Sequence, residues 1–124
     1  MSTLPAPAML SVIIPAHDEE RLIGATLEAL RDATAALPGG VEVIVPAPLV
    51  RVVDTVGAGD AYMAGLIDGL WSADLLGADR REQLHAMQAE TVQTAMSHAA
   101  RIAAIVVSRA GANPPTRNEL EEPE

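Results

Sequence analysis

Two aspartates with a pair of glycines between them make the one chemically pointed stretch of this chain, Asp54-Thr55-Val56-Gly57-Ala58-Gly59-Asp60. A run over residues 49–53 that is apolar but for Arg51 precedes it, and the small helix-forming residues Ala61-Tyr62-Met63-Ala64-Gly65 follow. The order predicts a strand, a tight turn and the start of a helix. Glycine lets the backbone come close to a ligand, the first helical N–H groups have no intrahelical acceptor, and the helix dipole favours negative charge there. A phosphate is the natural guest of such a turn. Asp60 stands at its mouth, where a carboxylate can take the proton of a hydroxyl attacking phosphorus. A short glycine pattern can equally be only a turn, and alone it is weak.

The elements that must position this turn can be read in order. Residues 1–9, with Pro5 and Pro7, predict a disordered leader. Residues 10–14 are apolar and β-branched and predict a buried strand stopped by Pro15. His17, Asp18, Glu19 and Glu20 suit an acidic helix N-terminus with Asp18 as cap, which needs no ligand. Ile23, Leu27, Leu30, Thr34 and Leu37 recur at helical spacing until Pro38-Gly39-Gly40. Residues 41–45 then predict a second strand, parallel to the first through a right-handed crossover. Three residues, Pro46-Ala47-Pro48, are too few for another parallel return, so 49–53 pairs antiparallel, pairs elsewhere or continues past a bend. The prolines favour an edge or corner.

Beyond the turn, residues 60–71 predict a helix whose small face, Ala61, Ala64, Gly65 and Asp68, approaches a sheet, with Gly69 weakening its end. One long helix from Arg80 carries Leu84, Thr91, Ala95, Ala99, Ile102 and Val106 on one stripe. His85 and His98 on that helix are too far apart to share a ligand and are read as exposed or hydrogen-bonded. Met87 and Met96 are read as core filler. Pro114-Pro115 closes the structured part, and residues 119–124 form an acidic tail expected to be solvated.

The central stretch, with Ala64-Gly65-Leu66-Ile67 after it, resembles the C-terminal signature of the ribokinase-like (PfkB) carbohydrate kinases. Val107-Ser108-Arg109-Ala110-Gly111-Ala112 and Pro114-Pro115-Thr116-Arg117 resemble that family's closing segment. The resemblance implies ATP-dependent phosphoryl transfer to a sugar hydroxyl, with Mg²⁺ accompanying ATP. It makes Asp60 the base and the amides of Gly57, Ala58, Gly59 and Asp60 the anion hole. It also places Asp54 near a site for a monovalent cation such as K⁺, and the 109–113 loop beside the nucleotide. The N-terminal two thirds of such a kinase, with most of its sheet and its sugar contacts, have no recognisable counterpart here, so residual Mg·ATP or phosphate binding is the narrower expectation.

The first unit resembles something else. Ser11-Val12-Ile13-Ile14-Pro15-Ala16-His17-Asp18-Glu19-Glu20 is similar to the opening of family 2 glycosyltransferases of the GT-A fold, which implies nucleotide-sugar (UDP) contacts at Pro15, Ala16, His17 and Glu19. The Asp-Asp-Gly-Ser type segment and the Asp-x-Asp metal ligands of that family are absent from the sequence. Two alternatives to the kinase fragment therefore stay open: a UDP-binding remnant, and a non-enzymatic chimeric α/β fold, natural or constructed.

Composition bounds these readings. The 124 residues predict one α/β domain over 10–118, divided into a glycosyltransferase-like unit (10–45) and a sugar-kinase-like unit (49–118). The expected architecture is a small two-layer or three-layer Rossmann-like sandwich of about three strands and three main helices. Only 2% of residues are aromatic and Phe is absent, so the core is built from Ala, Val, Leu, Ile and Met and buries little area per residue. A net charge of −9 disfavours nucleic acid and anionic membranes as partners, leaving a small-molecule nucleotide and a sugar. All eight basic residues are Arg, so phosphate charge has to be met by Mg²⁺, Arg or backbone amides. The absence of cysteine rules out disulfides and thiolate chemistry. No apolar run reaches membrane-spanning length, and a cytoplasmic location is the default reading. Apolar edges of so small a sheet would favour a homo-oligomer.

Overall fold

Small side chains set the packing of this protein. The computed structural model describes residues 21–35 and 43–122. Helix α1 spans Ile23–Thr34, α2 Ala58–Ser72, α3 Arg81–His85, α4 Ala89–Val107 and α5 Arg117–Glu121, and a 3-10 turn at Ala78–Arg80 precedes α3. The packed unit is the pair α2 and α4. Ala61, Tyr62 and Leu66 of α2 are buried against Ala95, Ala99, Ile102 and Val106 of α4. A Cβ placed on Gly65 would lie 2.9 Å from the Cα of Ala99, and one on Gly69 would lie 3.1 Å from the Cα of Ala95. Residue numbers therefore rise along α2 as they fall along α4, and the helices run antiparallel with their backbones in near contact.

The face that makes this approach is Ala61, Gly65 and Gly69, at i, i+4 and i+8. The spacing of small residues predicts Ala64 on this face and a sheet as its partner; Ala64 is exposed and the partner is a helix. The stripe expected on the long helix is found, with Ala95, Ala99, Ile102 and Val106 buried. The long helix itself is two. Ala86 closes α3, and Gln88 turns to an extended conformation (φ −81°, ψ 156°) to start α4. No glycine or proline marks that break; Glu90 in the first turn of α4 suits the new helix dipole.

The described residues are 62% helical and contain no strand, which overturns the expected α/β sandwich of three strands. The 10–14 run lies outside the described residues, as do residues 41 and 42. Residues 43–53 are described and are not a strand. Their composition suits an extended chain, but a strand exists only through ladder partners. Here the N–H groups of Val53 and Asp54 instead donate to one carbonyl, Val107 at the end of α4, at 2.7 and 3.1 Å. Leu49, Val52 and Val53 stay exposed for want of a neighbouring strand among the described residues.

Helix α1 has Ile23, Leu27, Leu30 and Thr34 half-buried along one stripe, as the spacing predicts, yet it carries no fully buried residue and packs on no other described helix. Its expected cap, Asp18, is outside the described residues. No helix among the described residues is long and apolar enough to cross a membrane.

A polar clamp ties the helices together on one side. Asp68 of α2 accepts a hydrogen bond from Nε2 of His98 on α4 at 2.7 Å and another from Arg117 at the start of α5. Arg101 of α4 donates to the Leu120 carbonyl at 2.8 Å. Glu119, expected to begin a solvated tail, closes a capping box with Thr116 and accepts from Arg109 at 2.6 Å.

These bonds hold both carboxyls below the ordinary carboxylate range. For Asp68 the His98 hydrogen bond is the main cause, partly opposed by desolvation, with Arg117 adding to it. For Glu119 the Thr116 amide leads and Arg109 follows. A depressed carboxylate stabilises the fold above its unfolded value, about 3.9–4.3, and loses that contribution as pH falls through the folded value. Thermal melts are therefore expected to be level with respect to these groups from pH 7 to about 5 and to drop below about pH 4. The drop should be shallower in Asp68→Asn, a comparison that circular dichroism makes directly.

Candidate functional site

The 54–60 stretch folds into the turn that its residues predict, but it leans on a helix end instead of a strand. Gly57 adopts φ +79°, a left-handed conformation, as the cap residue before α2. A Cβ there would also meet the Cβ of Ala112 at 2.9 Å. Gly57 is thus required twice, by its backbone angle and by the closeness of the 111–112 loop. Gly57→Ala is expected to cost about 1–3 kcal/mol, the range for a strained left-handed residue. Urea denaturation checks it, and Gly57→Ala/Ala112→Gly should recover only the part due to the clash.

Four amides surround the turn. The Ala58 N–H donates to the Thr55 carbonyl at 3.2 Å. Those of Gly57, Gly59 and Asp60 have no acceptor among the described residues. They lie at the positive end of a 15-residue helix, which favours an anion. Asp60 is the third residue of α2, is exposed and has no hydrogen-bond partner among the described residues. An acid in a first helical turn is also a plain dipole partner, so its position alone does not make it a base.

Asp54 is occupied. Its Oδ1 accepts from the Val56 N–H at 3.0 Å and its Oδ2 from the Gly111 N–H at 2.9 Å. These two amides, Val56 foremost, hold its carboxyl below the usual range. A monovalent cation at Asp54 would have to share oxygens that already serve amides. No group of three or more His, Asp or Glu side chains among the described residues could hold a metal ion.

The resemblance implies a turn and a 109–113 loop that both face the nucleotide; the contact between Asp54 and Gly111, 57 positions apart, comes from the structure alone. Gly111 adopts φ +70°, a left-handed conformation that glycine allows. Pro15, Ala16, His17 and Glu19 lie outside the described residues. A cavity of about 500 Å³ lined by Gly69, Thr91, Ala95 and His98 opens at the other end of α2, nine residues or roughly 13 Å along the helix from Asp60.

Geometry by itself defines a class, a glycine turn at a helix N-terminus with free amides and an unpartnered carboxylate beside them. The family follows from comparison. The model of the pfkB family carbohydrate kinases matches residues 31–119, more than two thirds of the chain, and the chain belongs to that family. The match starts upstream of Pro46-Ala47-Pro48, so it runs through those residues and into the 10–45 unit that was expected to be glycosyltransferase-like, a likeness that no comparison shows. Among curated proteins, none matches.

Proposed function

We propose that the 57–60 turn holds a phosphate of Mg·ATP and that Asp60 accepts the proton of a sugar hydroxyl during phosphoryl transfer. The observation that carries this reading is the coincidence of free Gly59 and Asp60 amides with the unpartnered Asp60 carboxylate at the positive end of α2. In the reaction the hydroxyl oxygen bonds to the γ-phosphorus, the bond from that phosphorus to the β,γ-bridging oxygen breaks, ADP leaves, and the proton passes to Asp60. Mg²⁺ bound with ATP would offset phosphate charge.

Three arginines are already paired. Arg109 is held by Glu119, Arg117 by Asp68 and Arg80 by Asp74. The backbone amides and the helix dipole are the charge stabilisation that the turn itself supplies, and the exposed Arg51 lies three residues before Asp54. The test is ADP release by the full chain from Mg·ATP across a panel of pentoses, hexoses and nucleosides, in wild type and Asp60→Asn. Sugar-dependent release that requires Asp60 supports the reading. Release that is equal in both proteins contradicts it.

A further inference from the structure

Four contacts bring the segment before the turn onto the end of α4 and the loop after it. Val53 and Asp54 donate their N–H groups to the Val107 carbonyl at 2.7 and 3.1 Å. Asp54 Oδ2 accepts from Gly111 at 2.9 Å, and Gly57 lies too close to Ala112 to admit a Cβ. Asp54 is the only side chain among these contacts that reaches both sides, because its Oδ1 also fixes Val56, the residue before Gly57.

We propose that Asp54 is a positioning residue whose carboxylate latches the 57–60 turn to the 109–113 loop, and that anion binding at the turn depends on this latch. The inference rests on the phosphate-binding reading of the turn. Without the carboxylate the 53–54 backbone would stay tied to Val107, but the turn itself would meet the 111–112 loop only through van der Waals contact, which can slide. Two hydrogen bonds to one ionised carboxylate fix the direction of Val56, and through it the left-handed Gly57 from which the free amides of α2 start.

Electrostatics supplies the discriminating sign. A carboxylate beside an anion site repels the anion, so deleting its charge should on Coulombic grounds tighten phosphate binding a few-fold. The latch requires the opposite. Asparagine keeps the size of the side chain but has one acceptor oxygen for two N–H donors, so one bond is replaced by a donor facing a donor.

Full-length ¹⁵N-labelled wild type, Asp54→Asn and Asp54→Ala are compared by amide exchange and by titration with Mg·ATP. In Asp54→Ala the Gly111 amide is expected to lose protection, in Asp54→Asn either the Gly111 or the Val56 amide loses it, and in both Mg·ATP affinity falls at least tenfold, while the Ala99 and Val106 amides keep their shifts. Asp68→Asn, which loosens the clamp at the far end of α2, should leave Mg·ATP affinity within twofold of wild type. Equal or tighter Mg·ATP binding in the Asp54 variants overturns the proposal, and so does unchanged Gly111 protection in Asp54→Ala. If wild type itself ignores Mg·ATP, the phosphate reading fails and with it the dependence of binding on Asp54. Gly111 exchange then reports only whether the contact exists.

Discussion

Asp60→Asn is expected to lower sugar-dependent ADP release by about 10²- to 10⁴-fold, the usual worth of a positioned general base. Asparagine has the same shape and cannot accept the proton at neutral pH. Asp60 is exposed and makes no hydrogen bond among the described residues, so the fold has little to lose. Removing a favourable charge from the first turn of α2 costs about 0.3–1 kcal/mol of stability. Mg·ATP affinity should stay within a few-fold, because the free amides of Gly57 and Gly59 are untouched. A steady-state assay paired with calorimetric titration separates the two effects. Loss of binding in step with turnover would assign Asp60 to the anion site and not to proton transfer.

Gly65→Val is expected to destabilise the protein by about 3 kcal/mol, the upper part of the range for overpacking a core. The first added carbon would sit 2.9 Å from the Cα of Ala99 and 3.0 Å from Cδ1 of Ile102. A flexible side-chain tip can yield; the backbone of α4 cannot do so without moving the helix. Ala99 is fully buried, and the buried hydrophobics among the described residues all belong to this helix pair. Separating the pair therefore opens the whole packed unit. The gain in helix propensity from leaving glycine is at most about 1 kcal/mol and does not compensate. Gly24→Ala is the control: nothing lies within 4 Å of a Cβ there, so no loss is expected. Urea unfolding of the two variants distinguishes steric approach from backbone entropy.

The turn was legible because it is local. Gly57, Gly59 and Asp60 announce a helix start by their own conformational needs, and α2 begins within two residues of where they predict it. The α4 stripe was legible for the same reason, since its period is a property of one helix. Residues 49–53 were misread because a strand is defined by its neighbours, and β-branched composition carries no information about whether a neighbour is there. The Ala61, Gly65 and Gly69 seam was half seen: its small residues were noted, but the same pattern suits a sheet or a helix. Contacts between distant positions were not legible at all. Nothing in one sequence links Asp54 to Gly111, or Asp68 to His98 and Arg117, and those links hold the site and the helices in place.

Everything proposed for this chain depends on phosphate binding by the amides at the start of α2. Its most direct measurement is a titration of the ¹⁵N-labelled full chain with Mg·ATP, and separately with UDP, followed by backbone amide shifts. Saturable movement of Gly57, Gly59 and Asp60 with Mg·ATP, and none at these positions with UDP, is the expected result. A dispersed spectrum in which Mg·ATP leaves those three amides in place would contradict the claim.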